Sequence, residues 1–112
     1  MLTPFERGLV AHLVADWIFQ NTWMAINKTN LLHPAAWVHA GIHTLALTWA
    51  LGPLAGVVLG ISHLLIDTRV PLDWWIRTFK KSAGSPVSDL VAIATDQVMH
   101  ITLIAICIEL RL

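Results

Sequence analysis

Residues 52–68 read GPLAGVVLGISHLLIDT. Pro53 suits the first turn of a helix, where a missing N–H costs nothing. Gly52, Gly56 and Gly60 then recur every four residues on one face. Small residues at that spacing let a neighbouring helix approach closely. His63 and Asp67 continue the stripe at spacing i, i+4, so both project from the same face about one turn apart. An apolar helix with a small-residue seam ending in an ionisable pair predicts a helix packed inside a bundle, its polar pair turned inward.

The same device recurs along the chain. HLVAD places His12 and Asp16 at i, i+4, HAGIH places His39 and His43, and DQVMH places Asp96 and His100. Gly8 precedes His12 by four residues and Ala92 precedes Asp96 by four. Only His33, of six histidines, falls outside this pattern. With thirteen His, Asp and Glu residues in the chain, a given His meets another at i±4 by chance roughly one time in five. Five such histidines predict a shared site.

Composition sets the expected solvent. Of 112 residues, 56% are hydrophobic and 12% charged, whereas about a quarter are charged in soluble domains. The expectation is an all-α, polytopic membrane protein: a four-transmembrane-helix bundle with helices at about 4–26, 35–51, 53–68 and 87–111. The two middle segments are short for a span of about 20 residues, and with the glycine stripe they hint at a homo-oligomer. Between Val70 and Ser85, Trp74, Trp75, Ile76 and Phe79 interleave with Arg77, Lys80 and Lys81, as in an amphipathic segment at the lipid–water interface. The start, MLTPFER, does not read as a cleaved signal peptide, so residues 1–112 are taken as one domain.

Five of the seven basic residues, Lys28, Arg69, Arg77, Lys80 and Lys81, fall in loops 1–2 and 3–4. With four crossings, the positive-inside rule makes those loops cytoplasmic and both termini external, in a bacterial inner membrane. Net charge is zero, which implies no nucleic-acid partner. The single Cys107 excludes an internal disulfide.

Depth agrees with spacing, since all four pairs can meet at one level near the loop side. A charge at the bilayer centre costs about 3 kcal/mol on the lenient insertion scale, so this octet needs compensation. Divalent metal ions supply it, most readily zinc, which takes imidazole and carboxylate ligands. His12, Asp16, His39, His43, His63, Asp67, Asp96 and His100 are the candidate ligands. Eight exceed one tetrahedral site, so two or more ions are expected, and clustered metals can activate water and clamp phosphoryl oxygens. The alternatives are hydrogen-bonded core histidines, a proton or metal-ion transporter or channel, and a non-catalytic bundle stapled by metal. Bis-His haem ligation fits less well, because three pairs contain Asp.

Around this octet, Gln20, Lys28, His33, Arg69 and Gln97 are candidate substrate-binding residues, with Lys28 or Arg69 suited to an anionic phosphate. Ordinary interfacial charge explains Arg69 at least as well. Asp96 is the candidate catalytic base and Lys28 the candidate phosphate-steadying residue. Asp73 and Asp89 read as loop and helix-start residues.

AHLVADWIFQNTWMAINK, LLHPAAWVHAGIH, SHLLIDTR and DQVMH, in that order, resemble the membrane family known as domain of unknown function 3307. More loosely, the H-x-x-x-D pairs are similar to those of inner-membrane metal-dependent hydrolases and helical zinc phospholipase C enzymes. That likeness implies His12, Asp16, His63 and Asp67 as ligands; from the metal cluster, the expected function is hydrolysis of a phosphate-ester or lipid-borne substrate. This chain departs from it in being far shorter and in pairing His39 with His43.

Overall fold

A computed structural model describes residues 1–112, all helical and without strands. Six α-helices follow in order: α1 Pro4–Trp17, α2 Thr22–Asn27, α3 Pro34–Leu51, α4 Pro53–Ile66, α5 Val70–Trp75 and α6 Ser88–Glu109. A π-helical turn, Ile76–Lys80, extends α5. Thr3 and Glu6 close a reciprocal capping box on α1, which explains why the helix begins at Pro4.

The four-transmembrane-helix reading is overturned. Only α6, with 22 residues, is long and apolar enough to cross a membrane by itself. The α4 segment qualifies only jointly with Val70–Lys80, across a 58° bend. The expected first span, 4–26, breaks after Trp17 because Asn21 starts a new helix, its side chain accepting the Met24 N–H at 3.0 Å. Helices α1 and α4 have 14 residues each, about 21 Å of rise against a hydrocarbon core of about 30 Å. Helix α3 has the length, but its apolar run is interrupted by His39, His43 and Thr44. Without four crossings, the sidedness expected from the basic loops no longer follows.

What the glycine stripe does is hold α3 against α4. Gly52 turns the chain at φ 101°, a conformation that favours glycine. A Cβ on Gly56 would sit 2.8 Å from the backbone N and Cα of Thr48, and one on Gly60 would strike the Thr44 hydroxyl. Gly8 similarly lets α1 meet Ile104 of α6. Helix α3 packs against α4 and α1, and α6 packs against the same two.

The interior these four helices enclose is divided. At one end Ala11, Leu47, Ala50, Leu59, Ile104 and Cys107 form an apolar cluster. One turn further along each helix the buried residues become His12, Asp16, His39, His43, His63, Asp67 and His100. Many large apolar side chains face outward, including Trp37, Leu45 and Trp49 on α3 and Leu54, Val57 and Ile61 on α4.

Candidate metal centre

Seven ionisable residues are each at most 5% exposed, and they come from four helices. Their i, i+4 spacing stacks each pair along an inward face, and the close α3–α4 seam brings His39 and His43 against His63 and Asp67. His43 Nε2 lies 2.9 Å from Asp16 Oδ1, His39 Nε2 lies 3.1 Å from it, and His63 Nε2 lies 3.8 Å away. His39 Nε2 and His63 Nε2 are 2.9 Å apart. Ligand atoms on a tetrahedral zinc ion at 2.0–2.1 Å are separated by about 3.3 Å. The four atoms bracket that spacing, so Asp16, His39, His43 and His63 form a group that could hold a metal ion.

A second group shares His63. Its Nε2 lies 2.8 Å from Asp67 Oδ2, while His100 Nε2 lies 3.3 Å from Asp67 Oδ1. His63, Asp67 and His100 could also hold an ion. Both Asp67 oxygens are buried, yet neither has a partner in hydrogen-bonding geometry, although imidazole nitrogens crowd them. Buried polar atoms nearly always find partners. Lone pairs that converge without donating or accepting are the pattern of a ligand shell. His39 Nδ1 and His43 Nδ1, on the outer side, are likewise unpartnered.

Not all eight sequence candidates join these groups. His12 Nε2 lies 3.1 Å from Gln97 Oε1, and the Gln97 amide donates to Asp16 Oδ2 at 2.9 Å. Because Asp16 accepts, the Gln97 amide orientation is fixed, and its oxygen requires a proton on His12 Nε2. His12 therefore anchors a relay to Asp16 through Gln97. Asp96 stands at the edge, 3.5 Å from His100 Nε2, its side chain 19% exposed.

Electrostatics in the first group follow from burial and pairing. Burial alone would raise the Asp16 carboxyl, but the imidazoles of His39 and His43 outweigh it and hold the acid well below the usual carboxylate range. Burial pushes His12 down and His43 down to about 4 despite the nearby carboxylate. For His39 burial also acts downward, but Asp16 and Asp67 together win and raise it. A neutral imidazole beside an ionised carboxylate is the protonation state a metal ion needs.

Beside the cluster lies a cavity of about 200 Å³, walled by Asp16, Asp67, Asp96 and Gln97 within and by Gln20, Lys28 and Arg69 without. Lys28 caps the end of α2, and its Nζ lies 3.8 Å from Asp67 Oδ2. Arg69 occupies the turn before α5 at φ 67°. His33 stands apart: its Nδ1 accepts the Ala35 N–H at 3.0 Å, making it the N-cap of α3, and its ring meets Trp23. The sequence reading missed Ala25, Thr29, Leu72 and Ile93, which also line the wall. Asn21, as a helix cap, was the signal that α2 would bring Ala25 and Thr29 there.

No curated protein and no solved structure matches the chain, so the looser likeness to metal-dependent hydrolases rests on the residue pattern alone. A family model described as protein of unknown function (DUF3307) matches residues 5–111, and the chain belongs to that family.

Proposed function

We propose that this protein is a metal-dependent hydrolase of phosphate esters, working with two zinc ions at the shared His/Asp cluster. The carrying observation is the pair of buried Asp67 oxygens, surrounded by imidazole nitrogens at 2.8–3.3 Å without hydrogen-bond geometry, beside a cavity that also presents Lys28 and Arg69. Bound divalent ions would supply Lewis-acid activation of water and of the phosphoryl oxygen.

The chain's own residues do the rest. Asp16, His39 and His43 would hold one ion and Asp67 and His100 the other, with His63, whose Nε2 has a single lone pair, completing one of the two. Lys28 and Arg69, on the cavity's outer wall, hold the phosphate anion. Asp96 lines the cavity outside both ligand groups, where it can take a proton from water. Gln97 keeps Asp16 in place. Trp17, Leu72 and Ile93 give the cavity an apolar side suited to a lipid-borne ester. The exposed apolar faces of α3 and α4 favour seating against a bilayer, with a bacterial inner membrane as the expected one.

The cavity is lined by Lys28 and Arg69, while Leu47, Leu59 and Ile104 belong to the apolar cluster at the other end. A polar cavity on one side of the cluster and an apolar core on the other favour a hydrolase over an ion conduit. The test is hydrolysis of phosphomonoesters, phosphodiesters and phosphatidic acid by zinc-loaded protein. A His39→Ala/His43→Ala variant should lose both zinc and turnover. Undiminished turnover by that variant would sink the proposal.

A further inference from the structure

A second cavity, of about 610 Å³, lies between α6 and the α4–α5 corner. Ile66, Pro71 and Trp75 form one wall, and Val98, Met99 and Leu103 of α6 form another. Its volume falls within the range of about 300–1,000 Å³ that small-molecule sites occupy. Lys80 is the only charged residue lining it. Lys81 follows in sequence, and both lysines are exposed. Around this rim Trp75 and Phe79 pack at 4.3 Å and Trp74 and Phe79 at 5.7 Å. Arg77 Nε donates to the Asp73 carbonyl at 3.3 Å, which leaves the two lysines as the unengaged cations of the rim.

An apolar trough that ends among tryptophans and amines matches a molecule with a long apolar chain and an anionic head. Tryptophan favours headgroup depth, and lysine extends its amine toward lipid phosphate. We infer that this groove holds one acyl chain of an anionic phospholipid, with its phosphate between Lys80 and Lys81. A free phosphate would leave the trough unfilled. The inference is independent of the chemistry at the metal centre.

The test is a titration of the full chain in detergent with phosphatidylglycerol, then phosphatidylcholine, both carrying brominated acyl chains that quench tryptophan fluorescence. Phosphatidylglycerol should quench saturably at a midpoint at least tenfold lower than phosphatidylcholine, with a reduced amplitude in Trp75→Phe. Lys80→Gln should move the phosphatidylglycerol curve toward that of phosphatidylcholine. Val98→Phe, a substitution at a 61% exposed position, should fill the trough and abolish saturation. Equal midpoints for the two lipids in the wild type, or saturable quenching that survives Val98→Phe, overturns the inference. So does a dimer that Val98→Phe dissociates when no lipid quenching is seen, which would assign the groove to a second copy.

Discussion

His39 and His63 face each other across the α3–α4 seam with their Nε2 atoms 2.9 Å apart. Two neutral imidazoles can meet this way only if one carries its proton on Nε2; otherwise two lone pairs oppose each other. A cation between them removes the conflict. His63 also belongs to both ligand groups, but its single Nε2 lone pair serves one ion at a time. His63→Ala and Asp67→Asn should each remove one ion and leave the other. Elemental analysis of each purified variant decides this. Complete loss of metal in either variant would argue for a single site.

The glycine seam makes a second, asymmetric prediction. At Gly56 an added Cβ meets the Thr48 backbone at 2.8 Å, whereas at Gly60 it meets mainly the Thr44 side chain. Gly56→Ala should therefore force α3 from α4 at a cost of about 1–3 kcal/mol, and Thr48→Ala should not rescue it. Gly60→Ala should be partly rescued by Thr44→Ala. Thermal melts of the four single and two double variants check the pattern, and zinc content should fall alongside stability because the same seam positions the ligands.

Acid should destabilise the metal-free protein. His43 is lowered from its ordinary 6.5 to about 4 in the fold, so as pH falls below 6.5 the unfolded chain takes up a proton that the folded chain refuses. Stability is lost between pH 6.5 and 4, by about 3 kcal/mol for His43 alone. His12 acts in the same direction, and Asp16, being depressed, adds its loss at lower pH. The raised His39 and His100 add stability as pH falls toward 6.5 and change nothing below it, so they do not offset this loss. Melting temperatures in chelator across pH 7.5–4 should fall steeply through this window. A flat profile would mean that His43 is not buried in the neutral form.

Much of this site was legible in the sequence because i, i+4 spacing fixes a helix face whatever surrounds it. His39, His43, His63 and Asp67 needed only that face and the glycine seam to find one another. Spacing does not say which atoms meet, so the withdrawal of His12 to Gln97 was hidden, whereas Asp96, read both as a ligand and as a base, stands at the rim. The number of crossings was misread for a related reason. WIFQNTWMAI looks like a continued apolar run, and only the Asn21 side chain, competing locally for the Met24 N–H, breaks it. His33 misled similarly, since a His before Pro34 serves α3 as a cap.

The division of labour around the cavity gives the last prediction. Asp96 touches neither ligand group closely enough to join it, while Lys28 contributes charge at the outer wall. If Asp96 takes the proton and Lys28 holds the phosphate, their losses should appear in different constants. Asp96→Asn should keep its zinc and lower kcat by about 10²–10⁴-fold with little change in KM. Lys28→Met should raise KM about tenfold, most for dianionic phosphomonoesters, because the lost pairing acts on bound substrate and transition state alike. Steady-state kinetics on metal-loaded protein separate the two. Should Asp96→Asn lose zinc instead, Asp96 would be a ligand, and the base would have to be sought elsewhere on the cavity wall.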